Sequence, residues 1–598
     1  MKPTVTFKAR VLLWTVTVAA VLTISPLPLH AAGKTLDEVS KAIDEGMNYK
    51  ALSMLSLYTP SREELPRFFY LKGKALIGAK RYTKAIGYLN RAYLTTKDDD
   101  MRERALFARG VAYLMGGFHY EAASNFRLFI RRYPKSRLIQ RAYLNYAQAS
   151  LKTGNYVEAL AFFRKVSRTP EAVFGRAEVF HRLGLYSAAN DLYNAGLLSY
   201  KDYIEKHPDV IYYYAENLRV NGKAEQAKSF YYFLMDTYLR ERAYLGIGQV
   251  EYERKDLESA EMYLKKALES PDRVVRRRAL LTLGKTAMEA GHPGRAVEYL
   301  RALRMDYPYT PEYEEALLLL ARLMREKKEY LQAGKYLREI LFGRKPGNEA
   351  LDELDALVND SIDNDLEAFR RIWDSSGQWL YDPSREETLF KVAEALRNSG
   401  GDFLRVYTYL VDNGSRGAKA KSLSRLAIFF GRLSDVGRVE KLVGNLGKLT
   451  PNGDEFLRAK AWLYYLKGRN KAAYSLITRT SHPVSDDIDL LWRVKESAPS
   501  VRSFIKTYKA MAKASGVTLR YTDIGGMLAE RGFKKSAVKY FDLALKVDPG
   551  DTRAMFMLSR ITGDIGVMQR LSVKKGLYGS MARVMIKEKE IRRRLLEM

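Results

Sequence analysis

The stretch FHYEAASNFRLFIRRYPKSR (residues 118–137) decides the fold, because its outline returns as GHPGRAVEYLRALRMDYP (residues 291–308). Each stretch has an alanine, a large apolar residue four positions later and a Tyr-Pro pair that begins eleven positions after the alanine. Proline cannot continue a helix, so Pro134 and Pro308 predict a helix end in each stretch. Shared offsets in two distant segments indicate an internal repeat.

An alanine equivalent to Ala122, here called the anchor, recurs in steps of 30 to 38 residues. The anchors are Ala51, Ala85, Ala122, Ala159, Ala189, Ala227, Ala260, Ala296 and Ala333, with partial matches at Ala473 and Ala537. Twelve positions before the nine main anchors, eight residues are Gly or Ala, and four positions after them all nine are large. Small residues let two helix backbones approach closely, and the large residue fills the gap beside them. The pattern therefore predicts antiparallel helical hairpins.

Turn signals separate the two helices of each predicted hairpin. They include MGGFH (115–119), KTGNY (152–156), VNGK (220–223) and EAGHPG (289–294). Glycine at such a point can end the first helix in a left-handed conformation. The sequence thus predicts an all-α protein.

Two segments show the repeat in its fullest form. Residues 110–134 carry Gly110, Tyr113, Gly117, Ala122, Phe126 and Pro134, and residues 525–549 carry Gly525, Gly532, Ala537, Phe541, Ala544 and Pro549. This pattern resembles the tetratricopeptide repeat. The resemblance implies a right-handed α-solenoid of stacked helical hairpins, whose concave surface binds a partner.

The resemblance covers residues 35–342 well, residues 456–550 in part and residues 343–455 poorly. Together with the patterns at the two ends of the chain, it predicts five segments. These are a signal peptide (1–32), an N-terminal array of about nine hairpins (33–342), an irregular helical region (343–455), a second array (456–555) and a basic helical C-terminal cap (556–598).

The N-terminus has the pattern of an export signal. Three basic residues precede the apolar run Val11–Ile24, and the small residues Ala31 and Ala32 follow it. The run is 14 residues long, whereas a membrane-spanning helix needs about 20. We therefore expect a cleaved signal and a protein that is periplasmic or peripherally associated with the envelope. The alternative is an inner-membrane anchor formed by an uncleaved signal.

The ending Tyr-Pro-Lys-Ser (133–136) is similar to repeats of exported bacterial envelope proteins, such as the periplasmic lipoprotein family of the outer-membrane β-barrel assembly machine. The chain departs from that family in one respect, because it has no cysteine and so no lipidated cysteine. The same absence excludes disulfides, thiolate metal sites and cysteine nucleophiles.

Charge and the repeat together predict a partner-binding groove. The chain has 100 Lys and Arg against 70 Asp and Glu, a formal net charge of +30, which attracts anionic partners. The resemblance implies that residues 18, 15 and 11 positions before the anchor face the groove. These positions hold Arg67, Arg104, Arg141, Arg242 and Arg278, then Tyr70, Phe107 and Tyr212, then Lys74. Glu171 and Asp209 interrupt the arginine row.

Arginine can hold carboxylates through two hydrogen bonds, and aromatic rings can stack on peptide side chains or sugar faces. The rows therefore predict binding of envelope proteins through acidic peptide segments, or of an anionic polysaccharide. The alternative is a solvated helix face with partners one helical turn away, and aromatic residues that pack between repeats.

Catalytic motifs are weak, so we predict a non-enzymatic scaffold in envelope assembly or secretion, with no cofactor and no metal. The end of a phosphate loop at 284–286 (GKT) has Ala279 in place of its first glycine. Glu496-Ser497 and the segment 566–569 are similar to motifs of lytic transglycosylases, which leaves a peptidoglycan-active enzyme as an alternative. A nucleic-acid partner is not expected, because no recognised nucleic-acid module is present.

Overall fold

The computed structural model describes residues 35–342 and 347–597, and in this part of the chain every regular element is a helix. The predicted signal peptide, residues 1–32, lies outside the described residues. The chain forms two compact units that divide between His292 and Pro293. The all-α prediction is confirmed.

The first unit contains sixteen α-helices among its described residues. They are α1 (Leu36–Asp44), α2 (Asn48–Ser56), α3 (Leu65–Gly78), α4 (Tyr82–Thr95), α5 (Asp99–Met115), α6 (His119–Arg132), α7 (Ile139–Lys152), α8 (Tyr156–Phe163), α9 (Pro170–Arg182), α10 (Tyr186–Ser199), α11 (Lys201–Lys206), α12 (Asp209–Val220), α13 (Ala224–Leu234), α14 (Arg240–Glu253), α15 (Leu257–Ala267) and α16 (Arg273–Glu289). Helices α1 to α10 pack as consecutive hairpins, α11 is a short insertion, and α12 to α15 form two further hairpins.

The second unit continues in the same style over its described residues. Its helices are α17 (Pro293–Asp306), α18 (Pro311–Glu326), α19 (Tyr330–Leu341), α20 (Asn348–Asn364), α21 (Leu366–Ser376), α22 (Glu386–Ser399), α23 (Phe403–Asn413), α24 (Arg416–Arg432), α25 (Val436–Leu449), α26 (Asp454–Leu466), α27 (Asn470–Ile477), α28 (Ser485–Arg493), α29 (Val501–Ser515), α30 (Tyr521–Glu530), α31 (Lys534–Val547), α32 (Thr552–Thr562), α33 (Ile565–Ser572) and α34 (Leu577–Glu597). Three short 3-10 helices cover Gly377–Leu380, Pro383–Arg385 and Lys495–Ser497.

The anchor alanines lie where the sequence pattern puts them. All nine main anchors, and also Ala473 and Ala537, have no exposed surface. The small residue of the first helix faces the large residue of the second. A Cβ atom on Gly110, for example, would lie only 2.7 Å from the Phe126 ring. Likewise, a Cβ atom on Gly73 would lie 2.5 Å from Leu89. Close backbone approach, repeated along the chain, thus explains the sequence pattern.

The turn inside each hairpin uses a left-handed residue five positions before the anchor. Gly117 has φ 81° and Gly154 has φ 82°, as the turn signals predict. The same position is Lys80 (φ 58°), Lys255 (φ 67°) and Lys328 (φ 62°) in three other hairpins. Side chains rarely adopt this conformation, so the packing of the two helices must hold these lysines in it.

Residues 343–455 contain three helical pairs, α20 with α21, α22 with α23, and α24 with α25. The core of the last pair includes Leu423 and Val443 and extends to Ala459 and Leu463 of α26. The limits of the five segments along the chain stay a prediction.

Candidate partner-binding groove

The first helices of successive hairpins form a continuous layer in the first unit. Contacts join α1 to α3, α3 to α5, α5 to α7, α7 to α9, α9 to α12, α12 to α14, and α14 to α16. All nine predicted groove residues lie on helices of this layer. Arg67, Tyr70 and Lys74 lie on α3, Arg104 and Phe107 on α5, Arg141 on α7, Tyr212 on α12, Arg242 on α14 and Arg278 on α16.

Most of the predicted basic residues have a carboxylate partner within the chain. Arg67 pairs with Asp37, and the Lys74 Nζ atom lies 3.3 Å from Oδ1 of Asp44. Both pairs join α3 to α1, one hairpin away. Because a neighbouring carboxylate balances each cation, these two residues have less charge to offer to an external anion.

The same holds further along the layer. The Arg104 guanidinium lies 2.5 Å from Asp100, one turn earlier on α5, and Arg242 lies 2.9 Å from Asp272 at the start of α16. Both partners of the Arg104 pair are more than half exposed. A pair of this kind contributes little to stability and can exchange with a partner's carboxylate.

Arg141 differs from the other four arginines. Its guanidinium carbon lies 5.4 Å from the centre of the Phe107 ring, and it has no ion pair in the part of the chain that the structure describes. The side chain is exposed at the surface of α7. It is therefore the groove arginine best placed to bind an anion from outside.

The aromatic residues of the predicted groove are mainly packed into the protein. Phe107 is 7% exposed and touches the rings of Phe126 and Phe129 edge-on. Tyr212 is 8% exposed and contacts Tyr231. Tyr70 is half-buried, and its burial raises the pKa of its phenol. Of these three aromatic residues, Tyr70 is the one that keeps intermediate exposure.

Arg278 belongs to a buried charge cluster that the sequence did not reveal. Its Nη2 atom lies 3.5 Å from Oε2 of Glu216, which also pairs with Arg219 at 3.4 Å. The Tyr231 hydroxyl donates a hydrogen bond of 2.5 Å to the same carboxylate. Burial alone would raise the pKa of Glu216, but Arg219, Arg278 and this hydrogen bond outweigh it and lower the pKa to about 2. The cluster connects α12, α13 and α16.

We expect Glu216 to make the first unit sensitive to acid. Its pKa falls from 4.5 in a free chain to about 2 in the fold, so its stabilising effect is complete above about pH 5 and is lost as the pH falls towards 2. At pH 7, Glu216→Gln should lower the free energy of local opening of α12 by about 2 to 3 kcal/mol. Hydrogen exchange of peptides from α12, corrected for intrinsic rates, measures this difference.

The gap between Glu216→Gln and wild type should narrow as the pH falls from 4.5 towards 2, because the carboxyl becomes protonated first in the opened state and, near pH 2, in the fold as well. Glu225→Gln is the control, because Glu225 is 70% exposed in its pair with Arg254. It should leave the opening of α12 unchanged at every pH. A gap that is the same at pH 7 and pH 3 would contradict the role given to Glu216.

The structure adds a cavity that the sequence did not predict. It has a volume of about 320 Å³ and is lined by residues of α5 to α12, most of them on the first helices α7, α9 and α12. Its lining includes Glu171 and Asp209, the two residues that interrupt the arginine row, together with Tyr203 and Tyr213. In the sequence, this cavity could have been indicated by the two acidic residues, Glu171 and Asp209, that replace arginine in the arginine row.

The transglycosylase-like motifs do not have the environment of a general acid. Glu496 lies in the 3-10 helix Lys495–Ser497, is 63% exposed and pairs with Arg531. A catalytic acid of this type needs a desolvated carboxyl group with a raised pKa. The segment 566–569 is an ordinary part of α33.

Within residues 35–342 and 347–597, no helix combines the length and the apolar character that crossing a membrane requires.

Comparison with known proteins gives family matches on parts of the chain. Models of the tetratricopeptide repeat match residues 107–171, 281–349 and 241–271. No curated protein matches the chain.

Solved structures with similar helical arrays include three from different sources. A tetratricopeptide repeat protein from Parabacteroides merdae is 15% identical, with a TM-score of 0.35, covering 43% of this chain and 99% of its own. The human IFIT1 dimer with PPP-AAAA is 17% identical, with a TM-score of 0.40, and the match covers 60% of this chain and 89% of the IFIT1 chain. A chain of the APC/C hetero-tetramer Cut9-Hcn1 is 15% identical, with a TM-score of 0.33, and the match covers 87% of this chain and 99% of that chain.

Proposed function

We propose that this tetratricopeptide repeat protein is a non-enzymatic scaffold that binds a segment of another protein along the first-helix layer of residues 35–292. The observation that carries the proposal is the layer itself, because a continuous row of first helices gives an extended surface of the kind that repeat proteins use for binding. Tetratricopeptide repeats are modules of protein–protein interaction, and the stacked hairpins supply that module here.

Arg141 is the proposed contact for an acidic residue of the partner. It is the groove arginine with an exposed guanidinium and no ion pair among the described residues. Arg104, whose pair with Asp100 is exposed, is the proposed second contact. Two arginines on neighbouring first helices suit a segment that runs along the layer with acidic side chains at intervals.

The envelope is the proposed place of action. The support is the export-type pattern around Val11–Ile24 together with the cysteine-free composition. Clients in outer-membrane assembly, secretion or polysaccharide export fit a basic scaffold outside the cytoplasm. Mass spectrometry of the N-terminal peptide of the purified mature protein tests export, and cleavage near Ala31 or Ala32 is the expected result.

Photo-crosslinking in intact cells tests the binding surface. A photoreactive residue at position 141 should trap a protein neighbour, and the same residue at position 164 should not. Arg164 is the matched control because it is exposed and follows α8, the second helix of the same hairpin.

Charge reversal then tests the contact itself. Arg141→Glu should weaken capture of the trapped partner about tenfold in a pull-down at low salt, because it turns an attraction into a repulsion. Arg164→Glu should leave capture unchanged. Equal capture by wild type and Arg141→Glu would contradict the proposed surface.

A further inference from the structure

The cavity between α5, α7, α9 and α12 is acidic in a chain that is strongly basic. Glu171, Glu178 and Asp209 line it, with Lys152 as the lining lysine. The chain as a whole has a formal net charge of +30. Where carboxylates are in local excess, the complementary residue of a bound partner should be basic, whereas at the arginines it should be acidic.

Two of the three carboxylates, Glu171 and Asp209, form no ion pair with a Lys or Arg side chain among the described residues. Glu178 is only 8% exposed and is balanced by Lys152 at 3.5 Å and by Arg182 at 3.7 Å. Asp209 accepts a hydrogen bond of 2.6 Å from the Tyr238 hydroxyl and has no ion pair among the described residues. Glu171 likewise has neither a hydrogen bond nor an ion pair from its side chain in that part of the chain.

Both carboxylates act electrostatically on Tyr203, which also lines the cavity. The pKa of Tyr203 is raised to about 12, by burial first and then by the negative charges of Glu171 and Asp209. Glu171, Asp209 and Tyr203 are all lining residues of this one cavity. A cation that enters there would meet both.

A second, independent feature indicates a ligand-binding site. Tyr193 lines the cavity and is 1% exposed, yet its hydroxyl has no hydrogen-bond partner among the described residues. A buried hydroxyl without a partner costs free energy in the unliganded protein. The Nδ1 atom of His119, another lining residue, is also buried and unpaired. Each of these atoms can accept a hydrogen bond from a donor that enters the cavity.

The remaining walls suit a cation with an apolar stem. The rings of Phe174, Tyr203 and Tyr213 line the cavity, and the chain already holds its own Lys152 ammonium 5.7 Å from the centre of the Tyr213 ring. Aromatic faces attract lysine and arginine side chains in this way. The volume of about 320 Å³ is at the lower end of the range for ligand pockets, which suits one side chain rather than a large molecule.

We infer that this cavity binds a lysine or arginine side chain of the partner segment, held by Glu171 and Asp209, with the Tyr193 hydroxyl as an acceptor at its base. The inference rests on the proposed function, since it assigns one residue of the bound segment. The segment would then carry an acidic residue at Arg141 on α7 and a basic residue at the cavity, whose lining includes residues of α7 and α9.

An array of random twelve-residue peptides, probed with the full chain, tests the assignment. Wild type should select peptides that have Lys or Arg at one fixed position relative to an acidic residue. The double variant Glu171→Gln/Asp209→Asn should lower the affinity for those peptides about tenfold. Asp202→Asn/Glu205→Gln is the charge-matched control on α11, because Asp202 and Glu205 are exposed and do not line the cavity. It should bind like wild type.

Tyr193→Phe separates ligand binding from a structural role. The hydroxyl has no partner in the free protein, so the variant should melt no lower than wild type while it binds the basic peptides about threefold more weakly. A variant that melts lower and binds normally would overturn the role given to Tyr193.

The outcomes distinguish this inference from the proposed function. If wild type binds acidic peptides through Arg141 without any preference for a basic residue, the inference is wrong and the scaffold proposal stands. If the double variant keeps the preference, the inference is also wrong. Absence of any peptide binding would overturn both. Spermidine that binds in the cavity while no basic peptide is selected would assign the site to a small cation and overturn the inference.

Discussion

Replacing Ala122 with arginine is expected to open the hairpin formed by α5 and α6. Ala122 has no exposed surface, and a single Cβ atom on the facing Gly110 would already lie 2.7 Å from Phe126. There is no room for a longer side chain, and its charge would have no partner. Overpacking alone costs about 1–3 kcal/mol and a buried charge adds to that, so we expect a total loss above about 3 kcal/mol.

Hydrogen exchange of peptides from residues 99–132 measures this loss, since an array of repeats can open locally without unfolding as a whole. Arg104→Ala is the control in the same hairpin. Arg104 is 56% exposed in its pair with Asp100, so its removal should change stability by no more than about 0.5 kcal/mol. Equal effects of the two changes would mean that the assignment of buried and exposed positions along α5 and α6 is wrong.

The hairpins could be predicted because their pattern is local. The small residue, the left-handed turn, the anchor and the large residue all lie within one repeat, and each follows from close packing of two helices. The hairpin of α24 and α25 shows where this signal weakens. Its left-handed turn residue is Ser434 (φ 61°) instead of glycine, and its buried anchor position holds Val439 instead of alanine.

The ion pairs of the groove could not be predicted from the arginine row alone. The row does not show where each carboxylate partner lies. Arg67 and Arg242 pair with the neighbouring first helix, whereas Arg104 pairs with Asp100 on its own helix. Arg67 with Asp37, Lys74 with Asp44, and Arg242 with Asp272 are all 30 residues apart. Spacing alone does not identify a balanced arginine, because Glu171 lies 30 residues after Arg141 and yet the two form no ion pair among the described residues.

This balance changes how the net charge of +30 should be interpreted. An unbalanced row of arginines would attract any polyanion along its whole length. Arg67, Arg242 and Arg278 instead have carboxylate partners. A partner must therefore match the few places where charge is left over, which favours a specific peptide segment over a uniform polysaccharide.

Asp486→Asn is expected to destabilise the second unit by about 3 kcal/mol, because breaking a buried ion pair leaves charges without compensation. Asp486 is 3% exposed and lies 3.1 Å from Arg397, 2.8 Å from Arg425 and 2.7 Å from Arg432. Burial alone would raise the pKa of this carboxyl, yet the three arginines hold it below its usual value. The aspartate is thus ionised at neutral pH and joins α22, α24 and α28.

The expected loss is at the lower end of the range for buried pairs, because two carboxylates remain nearby. Glu394 lies 2.8 Å from Arg397, and Asp489 lies 3.0 Å from Arg432. Asp489→Asn is the matched control, since Asp489 is 37% exposed and pairs with Arg432 and Arg520 at the surface. Its effect should stay below about 1 kcal/mol.

A second substitution shows whether uncompensated charge is the cause. In Asp486→Asn the Arg397 guanidinium, whose side chain is 14% exposed, keeps Glu394 as its one carboxylate partner among the described residues. Adding Arg397→Gln removes one of the stranded charges, so the double variant should be more stable than the sum of the two single losses predicts. Hydrogen exchange of peptides from α22, α24 and α28 gives all three values. Strict additivity, or equal losses for Asp486→Asn and Asp489→Asn, would show that packing and not charge holds these helices together.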